Sequence, residues 1–115
     1  MTTFRLLPLT VHGALEMTIG FGLMALPFAL GLSPAAMVVG VLVGALLVGA
    51  GLGASEPRYV PIGAHHAFDY GIAVGLLACA GAMAIGDGAI AGALFLAAGA
   101  LQLALNLITR YSLAA

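Results

Sequence analysis

The sequence has little charge, a single cysteine and no tryptophan. Acidic and basic residues make up 6% of its 115 residues, whereas a soluble domain carries about a quarter. So few charges cannot cover a water-facing surface, which argues against a soluble enzyme, a nucleic-acid-binding protein and a disordered segment. Because Cys79 is the single cysteine, one chain can form neither an internal disulfide nor a thiolate metal site.

Long apolar stretches are abundant, with 63% hydrophobic residues and a mean hydropathy of +1.23. A membrane-spanning helix needs about 20 mostly apolar residues. Four such stretches use nearly the whole chain, and turn-forming residues separate them. They are Leu6–Leu32, Pro34–Gly53, Val60–Ile85 and Gly88–Ile108. The sequence therefore predicts an all-α membrane protein, a single transmembrane domain over residues 1–115 with four helices and the lipid bilayer as its surroundings.

The arginines predict how the chain is oriented. Arg5 precedes the first span, Arg58 lies between the second and third, and Arg110 ends the fourth. With four spans these three places share one side, and the other two turns carry no arginine or lysine. The positive-inside rule then places both termini in the cytoplasm. The composition, rich in alanine and glycine and free of lysine, favours a bacterial inner membrane.

The chain also repeats itself after 53 residues. A gap-free shift superimposes arginine, proline, histidine and an acid in the same order. The aligned pairs are Arg5 and Arg58, Pro8 and Pro61, His12 and His65, and Glu16 and Asp69. We therefore expect two tandem helix pairs, residues 5–53 and 58–110. Since each pair holds two spans, both pairs cross the membrane in the same sense and are related by a pseudo-two-fold axis along the membrane normal.

Each copy opens with a histidine and an acid four residues later, and continues to a Gly-Leu step. The motifs are His12, Glu16, Gly22-Leu23 and Leu26-Pro27-Phe28 in the first copy, and His65, Asp69, Gly75-Leu76 and Cys79-Ala80-Gly81 in the second. This pattern resembles the SPW-repeat integral membrane proteins of bacteria over nearly the full length, although no Ser-Pro-Trp is present. The resemblance implies a small membrane protein built from tandem helix pairs, and it implies no established activity.

Two histidines and two acids fall inside the predicted spans. At 1.5 Å per residue, an acid such as Glu16 lies about 16 Å along the helix from Arg5, near the membrane centre. Side chains of this kind are too costly to face lipid, so they should face the bundle interior. The pseudo-two-fold axis then places His12 near Asp69 and His65 near Glu16.

Further polar residues share this half of the membrane. Arg5 and Arg58 lie two turns before the histidines, and Gln102 and Asn106 lie eight and four residues before Arg110. We expect these side chains to join a buried His–carboxylate–Arg network in the cytoplasmic half. The other half has no charged or amide residue within its spans, which argues against a polar path for conduction.

Four uses of the network stay open. The network can fix helix packing in a non-enzymatic accessory subunit or a homo-oligomer, or it can bind a proton or cation. Haem can be ligated by His12 and His65, and a divalent metal by His12, Glu16, His65 and Asp69. No catalytic motif is recognisable, so we predict no enzyme, and the first use predicts no cofactor.

Small residues provide faces for close helix contacts, within the bundle, with other membrane proteins or with a second copy. The four motifs with Gly-x-x-x-Gly spacing are Gly40 and Gly44, Gly49 and Gly53, Gly71 and Gly75, and Gly88 and Gly92. His66 has no histidine counterpart in the first copy and points away from His65, so we predict that it is interfacial. Cys79 is expected to pack.

Overall fold

The computed structural model describes residues 5–54 and 61–111, and it contains four helices within them. These are α1 (Leu9–Ala29), α2 (Pro34–Ala54), α3 (Ile62–Asp87) and α4 (Ala89–Ile108). Within these two ranges no β-strand is formed, and a single isolated bridge joins Leu7 to Thr109. The predicted all-α architecture of four helices is therefore confirmed.

Helix ends differ from the predicted spans by at most three residues, and two of them, Pro34 and Ile108, coincide. Proline explains both repeat starts, because Pro8 and Pro61 are the N-cap residues and their carbonyls accept hydrogen bonds from the amides of His12 and His65. The turn between α3 and α4 is shorter than predicted. Helix α3 continues to Asp87, and Gly88 alone reverses the chain at a φ of 100°, which favours glycine.

All four helices are long and apolar enough to cross a membrane. The longest dimension of the bundle is 43 Å, comparable to a bilayer of about 40–45 Å with its headgroup regions. Large apolar side chains cover the outside; Leu42, Val74 and Ile90 are each more than half exposed. A surface of this kind fits a lipid environment, and the chain is a candidate multi-pass membrane protein.

The helices form two antiparallel hairpins, α1 with α2 and α3 with α4, which meet through α1 against α4 and α2 against α3. Contacts within each hairpin are far more extensive than contacts between hairpins. This is the arrangement expected for two tandem helix pairs. The starts of α1 and α3 and the end of α4 lie together at one end of the bundle, through the cluster described below.

Glycine permits close packing in both hairpins. In the first, a Cβ added at Gly20 would lie 2.6 Å from the Gly44 carbonyl oxygen. In the second, a Cβ added at Gly92 would lie 2.6 Å from Ala84 Cβ and 2.9 Å from Ala84 Cα. The Gly40 and Gly44 motif is thus used inside the bundle. A Cβ at Gly71 would meet nothing within 4 Å.

The half of the bundle that lies away from the starts of α1 and α3 has an apolar core. Its core contains Leu23, Leu47, Leu76 and Phe95, with Cys79 packed against it as expected. At the far end Ser33 donates a hydrogen bond to Asp87, which joins the turn after α1 to the end of α3. The Ser33 hydroxyl also accepts a hydrogen bond from the amide of Ala36 at 3.3 Å, which caps α2.

Candidate functional site: a buried histidine–carboxylate cluster

Four ionisable side chains from the first eight residues of α1 and of α3 meet between these two helices. His12, Glu16 and Asp69 have no exposed surface, and His65 is 4% exposed. Each histidine stands four residues before its acid, so both side chains lie on the same helix face. The common helix starts at Pro8 and Pro61 hold the two faces at the same depth. We call these four residues the cluster.

Both predicted contacts across the pseudo-two-fold axis are present. His12 Nε2 lies 2.8 Å from Asp69 Oδ2, and His65 Nε2 lies 3.4 Å from Glu16 Oε1. Contacts along each helix are similar in length, 3.6 Å from His12 Nε2 to Glu16 Oε2 and 3.1 Å from His65 Nε2 to Asp69 Oδ2. Each histidine therefore faces both carboxylates.

Thr109 determines which nitrogen of His12 carries hydrogen. Its hydroxyl donates to the carbonyl oxygen of Leu105 at 2.6 Å, so the hydroxyl oxygen acts as an acceptor toward His12 Nδ1 at 2.7 Å. His12 Nδ1 therefore carries a hydrogen, and in a neutral ring the Nε2 lone pair would face Asp69. A second proton on the ring or a metal ion fills the 2.8 Å contact between Nε2 and Asp69 Oδ2.

Helix α4 supports Glu16 from the side. Gln102 donates one amide hydrogen to Glu16 Oε2 at 2.7 Å and the other to Asn106 Oδ1 at 3.0 Å. Both amide residues are fully buried, and their spacing of four residues places them on one face of α4. The sequence-based prediction that Gln102 and Asn106 reach the depth of the histidines agrees with these contacts.

Tyr111 covers the cluster after α4 has ended. Its hydroxyl is 2.9 Å from Asp69 Oδ2 and 3.1 Å from Asn106 Oδ1, so its one proton serves two acceptors. Burial and the neighbouring Asp69 raise the pKa of Tyr111 well above its usual range, so it stays a donor. His66 lies outside the cluster, half-buried, with its ring edge-on to Tyr111 at 4.5 Å between centroids.

The cluster has the dimensions of a metal site. One ligand atom from each of its four side chains lies within 4.8 Å of the other three. Zinc–ligand bonds of about 2.0–2.1 Å give a tetrahedral edge of about 3.3 Å. The four histidine–carboxylate distances, 2.8, 3.1, 3.4 and 3.6 Å, bracket this edge. A hydrogen bond to the far side of a ligand, as at His12 Nδ1, is typical of metal ligands.

Several buried polar atoms of the site have no hydrogen-bond partner within residues 5–54 and 61–111. Within the cluster they are Glu16 Oε1, Asp69 Oδ1 and His65 Nε2. The His65 nitrogen lies near two carboxylate oxygens, yet neither contact is aligned as a hydrogen bond. Buried polar atoms are normally paired, so this geometry indicates a missing partner.

Haem does not fit between the two histidines. Their ring centroids are 5.9 Å apart, but both carboxylates stand next to both Nε2 atoms. The carboxylates of Glu16 and Asp69 thus occupy the space between the rings that a porphyrin plane requires. The geometry argues against the haem alternative and favours a small cation.

The predicted contacts between arginines and the cluster are not observed among the described residues. Arg5 is half-buried, and among the described residues it makes no ion pair with the cluster. Arg58 lies outside the described residues. Arg110 follows the end of α4, and its amide donates to the Leu7 carbonyl oxygen at 2.9 Å. This backbone contact brings the segment after α4 to the segment before α1.

Thr109 and Tyr111 are site residues that the sequence reading missed. Thr109 had a usable signal, because it follows Gln102 and Asn106 by seven and three residues and so shares their polar helix face. Tyr111 had no such signal, because it lies beyond the end of α4. It reaches the cluster through the segment whose backbone is hydrogen-bonded to Leu7.

Together these features define a class of protein: a small apolar four-helix bundle, suited to a membrane, with a buried histidine–carboxylate cluster at one end. Comparisons with known proteins add no relative, since no protein-family model, no curated protein and no solved structure matches the chain.

Proposed function

We propose that the protein is a small multi-pass membrane protein that binds one divalent transition-metal ion between α1 and α3. The ligands are His12, Glu16, His65 and Asp69. The observation that carries this proposal is the geometry at His65, whose Nε2 is close to two carboxylate oxygens without a hydrogen bond to either. A metal ion accepts several lone pairs at once, whereas a proton needs a direct line between two atoms.

Charge is compatible with a divalent ion. The carboxylates of Glu16 and Asp69 bring two negative charges into a site with almost no exposed surface. A net charge within a membrane protein is costly, and either one divalent cation or a proton on each histidine cancels it. Two imidazoles and two carboxylates suit zinc and its transition-metal neighbours, whereas magnesium and calcium prefer oxygen ligands alone.

The proposed setting is a bacterial inner membrane with both termini in the cytoplasm. The arginines at positions 5, 58 and 110 support this orientation through the positive-inside rule. The cluster then lies in the cytoplasmic half, with an apolar half beyond it. We keep the proposal of a non-enzymatic role, because the sequence contains no recognisable catalytic motif. We also keep the proposal of membership in the SPW-repeat proteins, because of the repeated motifs.

Metal binding is tested on the full chain, extracted in mild detergent, stripped with a chelator and titrated with Zn²⁺. Bound zinc is measured by plasma mass spectrometry and its affinity by competition with a chelating dye. We expect about one ion per chain, and a loss of more than about 100-fold in affinity for His65→Ala, because this variant removes a ligand rather than a supporting residue.

The matched control is His66→Ala, which removes the neighbouring histidine outside the cluster. It should keep the wild-type affinity. Absence of zinc binding by the wild type, or an equal loss in both variants, would contradict the proposal. Protons would then neutralise the carboxylates, and the cluster would serve to fix the packing of α1 against α3.

A second candidate is an accessory subunit or homo-oligomer, favoured by one face of α3. Cβ atoms added at Gly71 and Gly75 would meet nothing within 4 Å, and Val74 between them is 63% exposed. Such a small-residue face permits close approach of another membrane helix. Crosslinking in native membranes tests it: Gly71→Leu should abolish a crosslinked dimer or hetero-complex, and a wild-type chain that stays monomeric would contradict it.

A further inference from the structure

The cluster is closed to water in this structure. Three of its residues, His12, Glu16 and Asp69, have no exposed surface, and His65 is 4% exposed. A metal ion that reaches these ligands from solution must pass between other side chains, at least one of which has to move. The proposed metal site therefore needs an entrance, and the residues around the cluster determine where it lies.

The shortest route to water runs toward the starts of α1 and α3. At 1.5 Å per residue, Glu16 lies about 11 Å from the first residue of α1, Leu9, and about 20 Å from its last, Ala29. The longer direction passes through the apolar core around Leu23 and Phe95. A cation would lose its hydration there without gaining ligands, so entry is expected at the end where α1 and α3 begin.

This end is covered by two residues that follow α4, Arg110 and Tyr111, which we call the strap. Helix α4 ends at Ile108, and Thr109 is extended, with φ −92° and ψ 140°. The amide of Arg110 donates a hydrogen bond to the Leu7 carbonyl oxygen, and the Leu7 amide donates to that of Ile108, both at 2.9 Å. These two bonds tie the strap to the segment before α1.

The ring of Tyr111 lies over both histidines of the cluster. Its centroid is 5.3 Å from that of His12 and 6.4 Å from that of His65. Its hydroxyl is 2.9 Å from Asp69 Oδ2. Tyr111 is only partly buried, whereas the four cluster residues are buried, so it lies between the cluster and the outside. Displacement of this one side chain would uncover His12 and Asp69.

The strap has few anchors compared with the helices beneath it. Within the described ranges, one backbone hydrogen bond holds Arg110, while two hydroxyl contacts and the ring of His66 hold Tyr111. A short segment with few hydrogen bonds can open locally while packed helices stay folded. Thr109 is fully buried, which makes it the fixed point about which the strap can turn.

We infer that the strap is the gate of the metal site. Arg110 and Tyr111 turn away from the cluster about Thr109, the ion enters from the end of the bundle where α1 and α3 begin, and the strap closes over it. This inference rests on the proposed metal binding, to which it adds the route of the ion and the part that moves.

The competing route is an apolar groove between α2 and α3. It encloses about 390 Å³, and His65 is the one cluster residue in its lining. The other lining residues, which include Ala45, Gly49 and Phe68, offer no side-chain ligand to an ion. The strap, in contrast, borders His12, His65 and Asp69 directly.

Zinc exchange rates test the gate on the full chain in mild detergent. Uptake is followed by stopped flow with a chelating dye, and release by an excess of chelator. Arg110→Pro removes the amide that bonds to Leu7, so we expect both rates to rise about fivefold, the ratio for one backbone hydrogen bond, and the affinity to change less than about twofold. Arg110→Ala, the matched control, keeps the amide and should exchange zinc at wild-type rates.

A second readout needs no metal. Diethyl pyrocarbonate acylates accessible histidines, and peptide mass spectrometry of the metal-free protein compares His12 with His66 outside the cluster. Labelling of His12 relative to His66 should rise about fivefold in Arg110→Pro and stay unchanged in Arg110→Ala. If the wild type binds no zinc, the proposed function fails, and the gate then stands or falls on the labelling of His12.

A second variant covers the case that Arg110→Pro does not fold, as judged by helical circular dichroism. Leu7→Pro removes the other backbone bond and should act in the same direction. Its control is Leu6→Pro, because the Leu6 amide bonds to no backbone group among the described residues. Wild-type rates and labelling in the folded strap variants would overturn the inference. Slower zinc exchange in Gly49→Leu, which fills the α2–α3 groove, would also overturn it.

Discussion

The two repeats present the same ligands in different surroundings. His12 and Glu16 of the first are held by α4, through Thr109 and Gln102. The equivalent face of α2 carries Gly49 and Gly53, so His65 borders an open groove instead. The repeated motif supplies the four cluster residues. The helices that follow it, α2 and α4, differ at equivalent positions such as Gly49 and Gln102.

The cluster therefore has different surroundings on its α4 side and on its α2 side, although its residues come from a repeated motif. The α4 side restricts the histidine tautomer and supplies a donor to the carboxylate, as the outer shell of a metal site does. On the α2 side, His65 is the one cluster residue that borders the apolar groove.

The largest expected difference between the repeats concerns Gln102. Gln102→Leu removes the donor to Glu16, and we expect zinc affinity to fall by about 10–100-fold. Gly49→Ala, at the equivalent position of the first repeat, should change it less than about threefold, because no cluster contact is made there. Chelator competition measures both. Equal effects would remove the proposed functional difference between α4 and α2.

Packing of the hairpins provides the next comparison. Gly20→Ala places a methyl group 2.6 Å from the Gly44 carbonyl oxygen, and we expect a loss of about 1–3 kcal/mol in the free energy of unfolding. The repeat-equivalent change is the reverse, Ala73→Gly, with an expected loss of about 1 kcal/mol from helix propensity. Denaturant unfolding in detergent checks the order. A tolerated Gly20→Ala would contradict the close α1–α2 packing.

The smallest expected effect concerns Tyr111, which covers the cluster. Tyr111→Phe keeps the ring beside His66 and removes the hydroxyl near Asp69, so zinc affinity should fall by about three- to tenfold. Tyr70→Phe is the control, because Tyr70 contacts His66 and makes no hydrogen bond to the cluster among the described residues. Titration of both variants with Zn²⁺ tests this. A wild-type affinity in Tyr111→Phe would limit Tyr111 to a covering role.

Hydropathy and the repeat were enough to predict the four helices and the meeting of His12 with Asp69. They succeed because apolar length determines the spans and because four-residue spacing determines a helix face. The end of α3 was less predictable, since Gly86 and Gly88 are both possible turn residues and only φ at the latter separates them.

The contacts around the cluster could not be predicted from the local sequence, because they join residues that are far apart in the chain. Tyr111 reaches Asp69 because backbone hydrogen bonds tie the segment after α4 to Leu7, more than 100 positions earlier. In the sequence, Gly49 belongs to one of four Gly-x-x-x-Gly motifs, and nothing distinguishes it from the others. The structure shows the difference from the equivalent Gln102: a Cβ at Gly49 would meet nothing within 4 Å, whereas Gln102 donates a hydrogen bond to Glu16.

X-ray absorption at the zinc edge tests the central claim most directly. The zinc-loaded full chain should show four nitrogen and oxygen ligands at about 2.0–2.1 Å, with the outer-shell scattering of two imidazoles. His65→Ala should lose one imidazole from that signal, and His66→Ala should leave it unchanged. A shell of six oxygen ligands without imidazole, or the same spectrum in all three proteins, would contradict a metal ion held by the cluster.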